Sequence, residues 1–471
     1  MRSGLLLGFF LVLLFPALRA QQAADLAVAY QEDAQFIRRI YDDALRYSSS
    51  YDWLHYLTKR IGARLSGTPE AAAAVEYTRQ MMDTLGLDVV RLEPCMVPHW
   101  QRGTYEEVRI VHSNKAGSRD LRAVSLGGSI GTGSMGITAD VVEVRSLDEV
   151  DTLGSAALAG KIVFFNRPMD PTRINTFNAY GGAVDQRALG AARAGKYGAV
   201  GVLVRSMTTG LDDVPHTGSM SYQPDVTPIP AMGISTNDAE LLSRLLKEES
   251  VRVFMRNNSS MSSEKPSYNV IGEIKGSLYP DEIILVGGHL DSWDIGEGAH
   301  DDGAGCVQSL GVVETLKRLN YKPKRTIRVV MFMNEENGLR GGRTYWENSY
   351  KAGEYHLGAI ESDRGGFTPR AFSAEGHPDI FAEGYKNISR WLPLLEPYGI
   401  TFELGGSGAD ISGLKDQKGM LFGLVPDSQR YFDVHHTAAD VLESVNKREL
   451  ELGTAAMATL VYLLDQYGFK E

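Results

Sequence analysis

Three continuous apolar runs in the second half of the chain place the strongest constraint on its fold. They are Ile283–Gly287, Ile327–Met333 and Leu357–Ile360, and they alternate with helical patterns at Gly305–Leu319 and Leu450–Gln466. Strands that are apolar on consecutive residues fit a sheet covered by helices on both faces. The sequence therefore predicts the α/β class, with a doubly wound, mixed sheet.

The first half of the chain supplies helices and a segment of different texture. Apolar residues recur at helical spacing within residues 31–86, and one helix has Thr68 in place as N-cap with Pro69 as its first residue. Between about residues 115 and 262 short β-runs alternate with glycine-rich turns. The polar run Asn257–Lys265 is interpreted as the exit from this segment.

Neither half of the chain can form a covered sheet alone. The N-terminal helices lack a sheet to pack on, and the C-terminal strands lack part of their cover. We therefore predict one α/β domain, formed by residues 21–114 and 263–471 and interrupted by an inserted β-rich domain at residues 115–262.

The first twenty residues have the pattern of a secretory signal peptide. Arg2 precedes the apolar stretch Leu5–Phe15, and Ala17–Ala20 offers a cleavage site. The stretch is shorter than the roughly 20 residues that a membrane span needs. We expect cleavage after Ala20 and an exported protein, periplasmic or secreted, without stable membrane insertion.

Composition excludes several classes of function. The 48 basic and 59 acidic residues give a net charge of −11, which disfavours binding to nucleic acid or to an anionic membrane. Two cysteines exclude both a disulfide framework and a cysteine-built zinc site. Cys95 and Cys306 either pair in an oxidising compartment or are small buried residues.

Acidic residues and histidines follow the apolar runs. The segments concerned are His289-Leu290-Asp291, Gly298–Gly305, Asn334-Glu335-Glu336, Glu361-Ser362-Asp363 and His435-His436. Each alone is typical of a solvated turn. Together they would meet at the C-terminal edge of the sheet, where ligands of open α/β sheets bind. So many converging charges would repel each other unless cations neutralise them.

This series resembles the co-catalytic zinc exopeptidases, the family of zinc aminopeptidases and glutamate carboxypeptidases. The resemblance covers nearly the whole mature chain, including Arg64-Leu65-Ser66-Gly67-Thr68. The inserted segment, with Gly160-Lys161-Ile162-Val163, resembles a protease-associated domain. The resemblance implies the zinc exopeptidase fold and a zinc-dependent metallopeptidase.

The resemblance also implies a pair of metal sites for two Zn²⁺ ions. Its ligands would be His289, Asp301, Glu336, Asp363 and His436. Asp301 would bridge the two ions, with His289 and Asp363 completing one site. Glu336 and His436 would complete the other. Three carboxylates and a bridging hydroxide would neutralise the two ions, and imidazole with carboxylate is a donor set that suits zinc.

The same pattern assigns roles around the metals. Glu335 would be the general base that takes a proton from the metal-bridging water, which leaves the hydroxide, and delivers that proton to the leaving amine. Asp291 would orient the His289 imidazole, and Asp440 would do the same for His436. A cis peptide bond between Asp301 and Asp302 is also implied. His300, His377 and His435 have no place in the pattern and are treated as surface or pocket-wall residues.

The expected substrates are dipeptides or short peptides with free termini. If the inserted domain lies beside the edge of the sheet, it covers the metals and leaves a closed pocket. The donor for a substrate carboxylate is unassigned, with Arg364 as one candidate and a contact with a surface acid as its other interpretation. Whether the chain forms a homodimer is left open.

Three alternatives stay open at this point. A zinc aminopeptidase of broader specificity would use the same ligands. A glutaminyl cyclase-like acyltransferase has this fold with a single zinc, and a non-catalytic binding relative would have lost ligands. All five ligand positions are filled in this sequence, and the paired His289 and Asp363 favour hydrolysis.

Overall fold

A computed structural model describes residues 30–469 as an α/β protein with two mixed sheets. The helices are α1 (30–47), α2 (Ser50–Tyr56), α3 (Pro69–Thr84), α4 (Leu147–Leu158), α5 (Thr176–Gly181), α6 (Asp185–Gly195), α7 (Thr236–Leu246), α8 (Ala304–Arg318), α9 (Arg340–Ala352), α10 (Pro378–Ile388), α11 (Leu392–Leu395), α12 (Tyr431–Val434) and α13 (Lys447–Tyr467). Single π or 3₁₀ turns lie at Leu57–Ile61, Ala299–Gly303, Ser389–Trp391, Glu396–Tyr398, Ser412–Gln417 and Leu442–Ser444.

Sixteen strands form the sheets within the described residues. They are β1 (Val89–Gln101), β2 (Glu106–His112), β3 (Arg119–Leu121), β4 (Ala123–Ser125), β5 (Ile137–Val144), β6 (Ile162–Phe165), β7 (Gly201–Arg205), β8 (Ala231–Ile234), β9 (Arg252–Asn257), β10 (Ser260–Ile274), β11 (Tyr279–His289), β12 (Arg325–Phe332), β13 (Tyr355–Glu361), β14 (Pro369–Gly376), β15 (Thr401–Leu404) and β16 (Met420–Pro426).

The first sheet has the order β1-β10-β12-β11-β13-β16-β14-β15. Its four middle strands, β12, β11, β13 and β16, run parallel, and antiparallel pairs flank them. One face packs Ile284 and Val286 against α8 and α13, and the other packs Leu285 and Val330 against α9. Helices therefore cover both faces, as the apolar runs predict.

The predicted helix signals at the N-terminus are confirmed. The Thr68 hydroxyl accepts a hydrogen bond from the Ala71 amide, Pro69 is the first residue of α3, and Gly86 follows the helix end with a φ of 64°. This arrangement satisfies one of the free amides that every helix start exposes.

The polar run at residues 257–265, interpreted as the exit from the inserted segment, spans the change from strand β9 to strand β10. Most of it belongs to β10, which pairs with β1 over its whole length, from Gln101 opposite Ser260 to Val89 opposite Glu273. Ser, Lys and Glu are tolerated there because β12 pairs with β10 only from Val270 to Ile274, so the start of β10 pairs with the edge strand β1 alone and its side chains remain exposed.

The second sheet has the order β3-β2-β9-β5-β6-β7-β8-β4 and packs with α4, α6 and α7. The chain changes sheets between Gln101 and Glu106 and returns between Asn257 and Ser260. Strand β2 therefore lies in the second sheet, although the predicted boundary at 114/115 places it in the first domain. The insert takes the place of the turn that would join β1 to β10.

Side chains on both sides lock the inserted sheet onto the first one. Arg102, in the connection, donates to both carboxylate oxygens of Asp294 at 3.0 Å and to the Ser125 carbonyl at 2.7 Å. Trp293 lies against Gly127 so closely that a Cβ there would stand 1.8 Å from the indole ring. Only glycine at residue 127 permits this contact.

The predictions on the cysteines and on the signal peptide have different outcomes. Cys95 and Cys306 are both free and buried, so the interpretation as small buried residues is confirmed. The signal peptide at residues 1–20 lies outside the described residues. Within residues 30–469, no helix combines the length and apolarity needed to cross a bilayer.

We predict that Gly127→Ala destabilises the protein by about 1–3 kcal/mol, because the new methyl group overpacks the Trp293 ring. Gly181→Ala is the matched control, since a Cβ there has no atom within 4 Å. Urea unfolding of both variants measures the difference. Equal unfolding free energies for the two variants would contradict the close packing of the inserted sheet.

Candidate metal centre

The first sheet brings the predicted ligands together at one edge. Its neighbouring parallel strands β12, β11 and β13 end side by side. His289 is the last residue of β11, Glu335 and Glu336 follow β12, and Asp363 follows β13. Parallel strands expose their carboxyl ends on the same side, which is why residues distant in sequence converge here.

One carboxylate lies between two imidazoles. Asp301 Oδ1 is 3.2 Å from His289 Nε2, and Asp301 Oδ2 is 3.2 Å from His436 Nε2. Asp363 Oδ1 lies 3.3 Å from His289 Nε2, and Glu336 Oε2 lies 3.1 Å from His436 Nε2. The five residues thus form two trios that share Asp301. The Asp301–Asp302 peptide bond is cis, as the family resemblance predicts.

Several donor atoms of these trios make no hydrogen bond with other described residues and are suited to binding a cation. His289 Nε2, Asp301 Oδ2 and Glu336 Oε1 are buried and have no hydrogen-bond partner among the described residues. Buried polar atoms rarely lack partners in proteins. Imidazole nitrogens and carboxylate oxygens at these separations are a donor set that fits zinc.

The pKa values of two of these residues also indicate an excess of negative charge at the site when no cation is bound. Burial opposes protonation of His436, but the Glu336 and Asp301 carboxylates outweigh it and raise the pKa of the imidazole to about 10. Burial, reinforced by Asp301, raises the pKa of Glu336 to about 7. Without cations, protons bound to His436 and Glu336 would thus offset part of the negative charge of the carboxylates.

Asp291 orients the first imidazole through its backbone. His289 Nδ1 donates to the Asp291 carbonyl at 3.0 Å, whereas the Asp291 carboxylate lies 3.9 Å away. That carboxylate instead accepts from the Asn334 amide at 2.6 Å and the Glu335 amide at 3.1 Å. With Nδ1 committed to a carbonyl, Nε2 is the nitrogen that faces the trio. The Asp291 side chain fixes the turn that carries Glu335.

Asp440 does not contact His436, so its predicted role is wrong. The Asp440 carboxylate accepts from the His300 amide at 2.7 Å and the Asp301 amide at 3.1 Å. His436 Nδ1 has no hydrogen-bond partner among the described residues. Asp440 therefore holds the backbone that carries Asp301, because two amides of that turn point at its carboxylate.

Two supports of this turn were missed at the sequence level. Asp302 accepts from the His289 amide and the Gly305 amide, both at 3.0 Å. Arg64 is fully buried and donates to the backbone carbonyls of Leu290, Glu297 and Gly298. The Arg64–Thr68 motif signalled a role for this arginine, but its carbonyl partners depend on the fold.

The unassigned histidines have three different surroundings. His300 is buried, stacked on Phe367 with ring centroids 4.2 Å apart. His435 stacks on His436 at 3.5 Å and faces the cavity described below. His377 is the N-cap of α10. The expectation of surface or pocket-wall positions fits His435 and His377, and it is wrong for His300.

A cavity of about 260 Å³ lies between the metal trios and the inserted domain. It is lined by Phe177, Tyr180, Arg187, Ser219, Asp301, Glu335, Glu336, Asp363, Tyr431, Phe432, His435 and His436. Glu335 borders this space, and its carboxylate makes no hydrogen bond within residues 30–469. Burial, together with the Asp363 and Glu336 carboxylates, raises the pKa of Glu335 well above its usual range.

Arg187, from the inserted domain, is an unpaired cation in this cavity. It is 7% exposed, and its Nη2 donates to the Tyr180 hydroxyl at 2.7 Å. Its Nε and Nη1 have no partner, and it forms no ion pair in the part of the chain that the structure describes. A Cβ on Gly218 would stand 2.5 Å from the guanidinium and 2.7 Å from His436 Nδ1, so Arg187 and His436 are neighbours. Nothing in the local sequence marks this arginine.

Arg364, the candidate from the sequence for binding a substrate carboxylate, is not among the residues that line the cavity. Its Nη2 donates to the Gly406 carbonyl at 2.9 Å, and its guanidinium lies over the Phe177 ring. Its partners are thus a backbone carbonyl and an aromatic ring. The sequence suggested instead a contact with the substrate carboxylate or with a surface acid.

Comparison with known proteins identifies both parts of the chain. Residues 269–461 match the model of peptidase family M28, and residues 137–242 match that of the PA domain. Carboxypeptidase Q from Bos taurus is 34% identical over 421 residues, which cover 88% of this chain and 85% of that protein.

Solved structures agree with this assignment. The peptidase M28 precursor from Shewanella amazonensis SB2B is 34% identical, with a TM-score of 0.87 over 92% of this chain and 97% of that one. The zinc aminopeptidase BSAP from Bacillus subtilis shares the fold, with 20% identity and a TM-score of 0.62 over 89% of this chain and 95% of that one.

The extent of these matches settles the family. The carboxypeptidase Q match spans most of both chains at an identity above 30%, and the PA match interrupts the peptidase fold where the second sheet lies. The chain therefore belongs to peptidase family M28 and is a zinc-dependent metallopeptidase.

Proposed function

We propose that this enzyme is a two-zinc exopeptidase that hydrolyses dipeptides or short peptides with free termini. The observation that carries the proposal is the Asp301 carboxylate, which lies 3.2 Å from the imidazole of His289 on one side and of His436 on the other. A single carboxylate between two donor sets is the arrangement that a pair of metal ions requires.

His289, Asp363 and Asp301 would hold one zinc, and His436, Glu336 and Asp301 the other. Zinc ions in such a pair polarise the substrate carbonyl and lower the pKa of water. The unpartnered Nε2 of His289 and Oδ2 of Asp301 support this assignment.

Glu335 would serve as the general base. Its carboxylate borders the cavity, has no hydrogen-bond partner of its own within the described residues, and adjoins the ligand Glu336. It would take the proton of the attacking water and deliver it to the leaving amine. The Asp291 carboxylate would keep it aimed at the cavity, because it anchors the Glu335 amide.

Arg187 would bind the carboxylate at the C-terminus of the substrate. A buried guanidinium whose Nε and Nη1 have no hydrogen-bond partner among the described residues favours an anion, and a substrate carboxylate could accept from Nη1 or from Nε. The metal trios and Arg187 face the same cavity. The peptide bond of a dipeptide could therefore lie at the metals while its C-terminal carboxylate contacts Arg187. A zinc aminopeptidase of broader specificity is the alternative, and it would not need this arginine.

Two further proposals concern the location of the enzyme and the bounds of its domains. We propose that residues 1–20 direct export, so that the enzyme acts in the periplasm or outside the cell. We also propose that the peptidase domain comprises residues 21–114 and 263–471. The changes of sheet at 101–106 and 257–260 suggest that the inserted domain begins and ends a few residues earlier than these bounds.

The purified enzyme should contain two zinc ions per chain. Elemental analysis of the protein, with scanning calorimetry before and after chelation, measures both the count and its effect. Removal of zinc should lower the melting temperature, because ions that bind only the folded state stabilise it. A single ion per fully active chain would contradict the two-zinc assignment.

Glu335→Gln should retain both zinc ions and lose about 10²- to 10⁴-fold in turnover, because glutamine has nearly the same shape but cannot accept a proton. Asp301→Asn should instead lose metal, since it weakens the negative charge that both ions share. Zinc content and peptide hydrolysis are measured on the same sample. Near-normal turnover of metal-loaded Glu335→Gln would remove Glu335 from the mechanism.

Substrates of matched sequence test which termini are held. We expect kcat/KM to be highest for a free dipeptide, lower for its C-terminal amide and for a tetrapeptide, and lowest for its N-acetyl form. Equal hydrolysis of the amide would favour the broader aminopeptidase. Efficient internal cleavage of long peptides would exclude an exopeptidase.

Arg187→Met should reduce kcat/KM for the free dipeptide by about 30- to 1000-fold, as expected when one partner of a buried charged pair is lost. The same substitution should change hydrolysis of the C-terminal amide little. Arg193→Met is the matched control, because Arg193 lies on the same helix and pairs with Asp151. Equal losses for the two substrates would argue against a carboxylate contact.

A further inference from the structure

Four aromatic rings line the cavity together with the metal trios. Phe177 and Tyr180 come from α5 in the inserted domain, and Tyr431 and Phe432 come from α12. Each ring contacts the next. The Tyr180 and Phe432 rings stack at 4.8 Å, Phe432 meets Phe177 edge-on at 4.9 Å, and Phe177 stacks on Tyr431 at 5.1 Å.

These rings are joined directly to Arg187. The Tyr180 hydroxyl accepts from the guanidinium, which also lies 5.4 Å from the Tyr180 ring centroid. A substrate residue whose carboxylate meets Arg187 therefore has its α-carbon beside Tyr180. Its side chain can extend along the rings, because they line the same cavity.

The rings offer no ion-pair partner for a charged side chain. Apart from the metal trios and Glu335, the polar groups of the cavity lining within the described residues are Arg187, Ser219, His435 and the hydroxyls of Tyr180 and Tyr431, and both hydroxyls are uncharged. Arg187 would already be paired with the backbone carboxylate, and Arg364 is turned to the Gly406 carbonyl. A charged side chain against these rings would lose its hydration without an ion pair in return.

We propose that the rings of Phe177, Tyr180, Tyr431 and Phe432 form a specificity pocket for an apolar or aromatic side chain on the C-terminal residue of the substrate. This inference rests on the proposed function, since it takes the carboxylate at Arg187 as given. It assigns the enzyme dipeptides that end in residues such as phenylalanine or leucine, and disfavours those that end in glutamate or lysine.

A panel of dipeptides with a common N-terminal alanine tests the pocket. Wild-type kcat/KM should be roughly 10- to 100-fold higher for Ala-Phe and Ala-Leu than for Ala-Gly, the range expected for burying a large apolar side chain. Ala-Glu and Ala-Lys should fall at or below Ala-Gly. Preference for Ala-Glu or Ala-Lys, or equal rates across the panel, would overturn the inference.

Phe177→Ala should remove most of the advantage in kcat/KM that Ala-Phe has over Ala-Gly in the wild type. Phe177→Leu should retain much of it, because leucine keeps an apolar surface and limits any loss of folding. Phe254→Ala is the matched control: Phe254 is half-buried in β9 of the inserted domain and does not line the cavity. A uniform loss on all dipeptides in both Phe177 variants would overturn the pocket.

The experiment separates this inference from the function on which it rests. Zinc content and hydrolysis of Ala-Gly report on the two-zinc peptidase itself. If both are present and the panel shows no side-chain preference, only the specificity pocket is excluded. If neither is present, the proposed function fails first.

Discussion

The burial of several carboxylates around Asp301 is the constraint on which the rest of this structure depends. Charges of one sign cannot be placed together in a protein interior unless ions or protons of the other sign accompany them. In this enzyme the surrounding chain is organised to hold them. The Asp440 carboxylate accepts from the Asp301 amide, and the Asp302 carboxylate accepts from the His289 amide. Arg64 donates to the Glu297 carbonyl in the loop between them. The stability of this region is therefore tied to its charge state.

The inserted domain is part of the active region as well as a cover for it. It contributes Arg187, Phe177 and Tyr180 to the cavity wall, whereas the first sheet contributes the predicted metal ligands. A metal centre alone is indifferent to most features of a peptide. Under the proposed function, discrimination among substrates would therefore depend in part on residues of a domain that carries none of the expected ligands.

Much of this arrangement could be predicted from the sequence. The apolar runs located β11, β12 and β13, and the residues that end these strands converge because parallel strands expose their carboxyl ends together. Contacts that depend on the final packing could not be predicted. Asp440 was assigned to His436 by analogy, whereas its carboxylate is turned to two amides of a cis-containing turn. Arg187 has no distinguishing neighbours in sequence; what distinguishes it is that its Nε and Nη1 have no partner among residues 30–469, which only the fold reveals.

The position of the insert has a consequence for how the chain folds. Gln101 and Ser260 are paired at the end of the long β1–β10 ladder, and all of residues 102–259 lie between them. Bringing two such distant residues together costs entropy that grows with the length of the intervening loop, and contacts between distant residues slow folding. If the inserted domain folds first, its own ends already lie side by side, and the ladder can close as though it were a short hairpin. The order of folding would then run from the middle of the chain outward, with the metal centre assembled last.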